Sequence, residues 1–184
     1  MDKERKYYKN TYHHLYNRGA NKANIFFDEE SYLFFLKRLN HYKNKYQIKI
    51  LSYCLMPNHF HIFVKQESEF LKISEFLSAL LNSYVKSINK KFNKSGSLFE
   101  SKTKSKIITD THSFIWIVKY ILENPVKASL VNSIDDWVFS NAKDLLGKRN
   151  GILTDINVVK SFFQSEEQMI KFLTDINIKV DYDF

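Results

Sequence analysis

Apolar and polar positions alternate through residues 11–18, TYHHLYNR, up to Gly19, which predicts a first strand. The spacing then turns helical. Tyr32, Phe35, Leu36, Leu39, Tyr42 and Tyr46 recur behind Asp28-Glu29-Glu30, acids that a helix macrodipole favours in the first turn. A β-rich run, IKILSYCLM (48–56), meets another, HFHIFVKQ (59–66), across Pro57-Asn58, which reads as a hairpin. Helical spacing returns over 73–93, with Ile73, Leu77, Leu80, Tyr84 and Ile88 on one side and Asn93 to Gly96 as the stop. SLFESKTKSKIIT (97–109) reads as a fourth strand. Asp110 or Thr111 then caps a third helix that runs through Glu123 and is closed by Pro125.

The order β-α-β-β-α-β is the split βαβ arrangement. It predicts an α+β, ferredoxin-like fold: a four-stranded antiparallel sheet with helices on one face, plus one added helix. Residues 1–131 form the domain. Residues 132–184 read as a helical extension packed on it, with one short helix near 155–163 and another opened by Ser165-Glu166-Glu167-Gln168, a capping box.

The stretch MPNHFHIF (56–63) departs from an ordinary core strand. Alternation puts His59, His61 and Phe63 on one face and Phe60, Ile62 and Val64 on the other. The second set is a core face, whereas the first sets two imidazoles side by side, where a divalent metal could bind. A lone His-x-His is weak evidence, since histidines beside a turn are often surface residues. In VKYILENPVKA (118–128), Tyr120 and Asn124 stand four apart and share a helix face. Such a pair could serve as a nucleophile and a metal ligand, although by itself an amphipathic rim is the plainer reading.

Composition narrows the class. The chain of 184 residues is 44% hydrophobic with 16 Phe and 11 Tyr, enough for a sizeable core, and only 4 Gly and 2 Pro. No apolar stretch approaches the roughly 20 residues of a membrane span, and MDKERKYYKN lacks a signal core. The single cysteine, Cys54, forms no internal disulfide, which fits a reducing, bacterial cytoplasm. The net charge is +8, with seven lysines between Lys86 and Lys106 against Glu100 alone. Such a block is either a solvated face or a site for neutralising phosphates.

Together the motifs resemble the HUH single-tyrosine transposases, most closely the REP-associated branch. The resemblance rests on YHHLYNRGANKANIFFD (12–28), YCLMPNHFHIFV (53–64), GSLFES (96–101), YILENPVKASLV (120–131) and DDWVFSN (135–141). It implies that His59, His61 and Asn124 hold a divalent cation, Mg²⁺ or Mn²⁺, and that Tyr120 is the nucleophile. The implied reaction cleaves single-stranded DNA beside a hairpin, leaving a 5′-phosphotyrosine and a free 3′-OH. A phenol of pKa near 10 is ionised about one part in a thousand at pH 7, a deficit of about 4 kcal/mol that a cation on the phosphate would offset. Arg18, Lys86, Lys90, Lys91, Lys102, Lys104 and Lys106, with an open sheet face, form the expected DNA track. Two departures stand out. Ser101-Lys102-Thr103-Lys104 occupies a place where the family commonly has arginine, so the bidentate phosphate fork is lost. Leu122-Glu123 replaces a more usual His-Leu. His112 is a possible extra ligand, although a helix-start surface histidine is the plainer reading. A monomer with the site built in cis is expected. The rival class is a single-stranded nucleic-acid-binding module of the same fold without chemistry, and a water-using phosphodiesterase is a third.

Overall fold

The computed structural model describes residues 8–70 and 72–175; the start of the predicted domain (1–7) and the end of the predicted extension (176–184) lie outside them. The first strand, β1 (Tyr12–Arg18), ends at Gly19, where an added Cβ would stand 2.0 Å from the carbonyl oxygen of Ala23. Only glycine fits that approach. Helix α1 (Glu29–Lys45) begins behind Asp28, whose carboxylate accepts from the Ser31 amide at 2.8 Å while the Asp28 amide donates to Ser31 Oγ at 3.2 Å. Strands β2 (Ile48–Met56) and β3 (His59–Gln66) form the predicted hairpin, with Met56 opposite His59. Helix α2 (Ile73–Lys91) and strand β4 (Lys104–Ile108) complete the split βαβ.

Strand β4 is shorter than its sequence suggested. Residues 97–103 meet the end of β1 through the Gly19–Phe99 bridge, a hydrogen bond from the Glu100 amide to the Arg18 carbonyl, and Asn17 Nδ2, which donates to the Ser101 carbonyl at 2.9 Å and to Thr103 Oγ1 at 3.1 Å. Ser97 Oγ donates to the Phe99 carbonyl at 2.6 Å and accepts from the Phe99 amide, so local side-chain bonding diverts this backbone from the ladder.

Helix α3 (Thr111–Lys127) is longer than expected and carries Pro125 inside it. Proline has no N–H to offer the Ile121 carbonyl. The Asn124 side chain stands in, its Nδ2 donating to the Tyr120 carbonyl at 2.8 Å and to the Ile121 carbonyl at 3.4 Å. The helix thus runs one turn past the residue expected to end it.

The strands lie in the order β2-β3-β1-β4, all antiparallel. Helices α1 and α2 cover one face, and Leu15, Phe35, Phe60, Ile62, Val64 and Leu80 fill the core between. The other face is not open as expected. Helix α3 lies across β2 and β3, and short helices α4 (Ala142–Leu145), α5 (Ile156–Lys160) and α6 (Glu166–Thr174) pack around it. Phe63, Phe114, Ile117, Ile121, Val159 and Met169 form a second core there. The reason lies in the 132–175 segment, whose apolar side chains have no other surface to bury against. Its Asn141 satisfies the β2 irregularity between Ile50 and Ser52: Oδ1 accepts from Ser52 Oγ and the Tyr53 amide, and Nδ2 donates to the Leu51 carbonyl. Trp137 Nε1 donates to the Leu55 carbonyl at 3.0 Å, so the β2 edge is covered.

Candidate active site

The open part of the α3-side face is confined to the end of the sheet where β3 begins and β1 ends. His59 and His61 stand there on β3, and register places Arg18 beside His59 and Tyr16 beside His61 on β1. From above, α3 brings Tyr120 and Asn124, one turn apart on a shared face. These side chains, with Glu100 and Lys104, line a cleft of about 350 Å³. The Tyr120 ring meets the His61 ring edge-on with centroids 5.5 Å apart, and the His59 and His61 rings meet at 5.1 Å and 89°.

Both imidazoles are held neutral, the form in which a histidine can bind a metal. Burial, then the nearby Arg18 charge, lowers the His59 pKa to about 4, opposed by a side-chain hydrogen bond with Asn124. Burial pushes His61 well below the ordinary histidine value, reinforced by His14, His59 and Arg18. His59 Nδ1 lies 2.6 Å from Asn58 Oδ1, an acceptor, so the tautomer with its proton on Nδ1 would leave the lone pair on Nε2. Asn124 is oriented by the proline after it: with Nδ2 bonded to helix carbonyls, its hydrogen bond with His59 falls to Oδ1, the atom a cation would take in place of that bond. Among the described residues no three His, Cys, Asp or Glu side chains converge as a metal cluster. Burial, then Tyr16, raises the Tyr120 pKa above the usual phenol value.

The expected cations do not form one track. Arg18 and Lys104 line the cleft, and Lys104 Nζ stands 5.8 Å from the Tyr16 ring centroid. Lys106 shares their face of β4, two residues on, next to His14. Lys102 lines a neighbouring groove of about 780 Å³ between α2 and the 97–103 loop, which shares Asn17 and Ser101 with the cleft. Lys86 and Lys90 are exposed on α2, in the layer beyond the opposite face of the sheet. Lys91 is held by two acids, 2.7 Å from Asp28 and in closer contact with Glu30. His112 is exposed in the first turn of α3, about 12 Å along the axis from Tyr120.

Three neighbours escaped the reading of the sequence. His14, fully buried on β1, lies 2.9 Å from His61 through His14 Nε2 and His61 Nδ1. Tyr16 stacks on His14 with centroids 4.8 Å apart. Lys127 Nζ stands 5.3 Å from the Tyr120 ring centroid while bonding Glu123 at 3.0 Å. Alternation along TYHHLYNR placed His14 and Tyr16 on one face, but only strand pairing reveals that this face is the one carrying His59 and His61.

A split βαβ sheet carrying paired imidazoles, with a tyrosine presented by a helix on the far layer, defines the HUH single-tyrosine class of transposase. The chain belongs to the IS200-like transposase family, whose model matches residues 7–124. Among solved structures it is similar to a REP-associated tyrosine transposase bound to a REP hairpin, at 18% identity and a TM-score of 0.68, over 84% of this chain and 94% of that one. It is also similar to a transposase from Deinococcus radiodurans R1, at 18% identity and a TM-score of 0.46, over 66% of this chain and 95% of that one. No curated protein matches the sequence. No helix among the described residues is long and apolar enough to cross a membrane.

Proposed function

We propose that this transposase nicks and rejoins single-stranded DNA at hairpin-associated sites, through a 5′-phosphotyrosine on Tyr120 and with the help of a divalent cation. The observation that carries the reading is the meeting of the Tyr120 and His61 rings, 5.5 Å apart, in one cleft with His59 and Asn124. The donor set fits a cation: two imidazoles held neutral by burial and an amide whose oxygen is turned away from the helix. Mg²⁺ or Mn²⁺, held by His59, His61 and Asn124, would supply Lewis-acid stabilisation of charge on the scissile phosphate.

The chain's own groups account for the rest. Tyr120 Oη attacks phosphorus and gives its proton to solvent. The bond from phosphorus to the 3′-side oxygen breaks, and that oxygen is protonated as a free 3′-OH. Attack of another 3′-OH on the phosphotyrosine exchanges one ester for another and returns the phenol, so joining needs no external energy source. Arg18 and Lys104 neutralise phosphate charge at the cleft wall, and Tyr16 offers a ring face to an unpaired base. Similarity of fold to a hairpin-bound transposase supports hairpin DNA as the substrate. Tyr120 and its histidines converge within one chain, which supports a monomer acting in cis; a substrate of nucleoid DNA would put the reaction in the bacterial cytoplasm.

The test is a labelled single-stranded hairpin library incubated with the protein and Mn²⁺ or Mg²⁺, then resolved under denaturing conditions. A covalent adduct is expected from the parent and is absent from Tyr120→Phe and His61→Ala. Cleavage that survives Tyr120→Phe would assign the reaction to water. Hairpin binding with no adduct at any sequence is the outcome for a binding module.

A further inference from the structure

We propose that His14 is a positioning residue: it accepts the Nδ1 proton of His61, fixing the ring tautomer that keeps His61 Nε2 available to the cleft. The inference rests on the reading of His59 and His61 as metal ligands, and it concerns a residue outside that ligand set.

The geometry is specific. His14 Nε2 and His61 Nδ1 are 2.9 Å apart. The ring centroids lie 5.1 Å apart with planes within 15°, the arrangement of nearly coplanar rings meeting nitrogen to nitrogen rather than face over face. Imidazole N–H bonds and lone pairs lie in the ring plane, so this is a well-aligned hydrogen bond. Both side chains are buried, His14 fully, and only His61 lines the cleft. The bond therefore occupies His61 Nδ1 and leaves Nε2 as its other nitrogen, with the Tyr120 ring 5.5 Å from His61 and 6.1 Å from His14.

A pair of neutral imidazoles shares one proton in this bond, and its direction decides what His61 can do. Donation by His14 would put the His61 proton on Nε2 and close that nitrogen to a cation. Donation by His61 leaves the Nε2 lone pair open, with Nδ1–H anchored to an acceptor, the outer-sphere arrangement that orients metal-binding histidines. His59 already has this arrangement through Asn58 Oδ1 at 2.6 Å. The two ligands are thus held alike, one by an amide oxygen at the turn and one by an imidazole from the neighbouring strand. Tyr16 stacks on His14 at 4.8 Å and 22°, restricting rotation of the ring that must accept.

Two measurements on the full chain test this. Long-range ¹H–¹⁵N correlation of the metal-free protein reads the His61 tautomer directly; the proton is expected on Nδ1, and a proton on Nε2 would overturn the proposal without any variant. Affinity for Mn²⁺ alone, followed by the electron paramagnetic resonance of the free ion, is then compared in His14→Leu and His14→Gln. Glutamine reaches the same place with an amide oxygen that accepts, so it is expected to stay within about threefold of the parent, while leucine loses about 10- to 100-fold. Equal affinity in all three, with folding verified by near-ultraviolet circular dichroism, would refute the role. Absence of a DNA adduct with this leucine–glutamine contrast intact would defeat the enzymatic reading and leave the positioning role standing.

Discussion

Asn124 shows how one side chain can serve the backbone and the site together. Its Nδ2 covers the Tyr120 carbonyl and partly covers the Ile121 carbonyl that Pro125 leaves without an amide, which leaves Oδ1 for His59. Asn124→Ala is therefore expected to weaken Mn²⁺ binding and to cost about 1 kcal/mol of stability in urea denaturation, the worth of one ordinary hydrogen bond. A variant with parent metal affinity would remove Asn124 from the ligand set. The cations divide just as sharply. Lys104 faces the cleft, whereas Lys91 is committed to Asp28 and Glu30. Lys104→Gln is expected to weaken single-stranded DNA binding and to reduce the slope of log K against log salt by about 1. Lys91→Gln is expected to leave both unchanged, and equal effects would contradict the division. At this scale the pairing of His59 with His61 and of Tyr120 with Asn124 was legible, because alternation and helical spacing fix which side chains share a face. His14 was not, because nothing local says which strand lies next to which.

Among the elements, α3 depends most on residues distant in sequence. Lys119, adjacent to Tyr120, is fully buried. Its Nζ donates to the carbonyls of Phe172, Leu173 and Asp175 at 3.0, 3.3 and 2.8 Å and pairs with Glu123 at 2.9 Å. The amine thus completes the C-terminal end of α6, where helix carbonyls lack partners and positive charge is favoured. Lys119→Ala is expected to cost about 3–5 kcal/mol, the usual penalty for breaking a buried charge pair, read as a lower urea midpoint. A loss under about 1 kcal/mol would show that solvent replaces the amine. The hydrophobic spacing made α3 legible, but a lysine in that pattern reads as a solvated position until α6 is seen to lie over it. Pro125 misled for a related reason: proline ends helices in general, and only the compensating Asn124 side chain lets this one continue.

For the whole molecule, the split βαβ order was legible in full, since each change of period marks an element and the connectivity admits few folds. The second core was not, because the 132–175 segment has short helices with little periodicity and acquires its place by packing. That packing has a consequence for pH. Burial lowers His13 and His59 to about 4 and His14 to about 3, and holds His61 well below the ordinary value. In the unfolded chain each would titrate near 6.5. Between pH 6.5 and 4 the unfolded state therefore binds more protons than the fold, so stability rises with pH through this window and falls as pH drops through it. Each histidine kept neutral contributes at most about 1.4 kcal/mol per pH unit below its unfolded value. With EDTA present, the urea midpoint is expected to be level above pH 7 and to fall steadily from 6.5 to 5, a range above the titration of ordinary carboxylates. His13 gives the control, because its ring sits between Thr11 Oγ1 at 2.9 Å and Ser105 Oγ at 3.2 Å, on the sheet face away from the cleft. His13→Gln removes one of the four titrating groups and is expected to make the fall shallower without changing Mn²⁺ affinity. A midpoint that stays level from pH 7 to 5 would mean that these rings protonate in place, and a protonated His61 could not serve as a ligand.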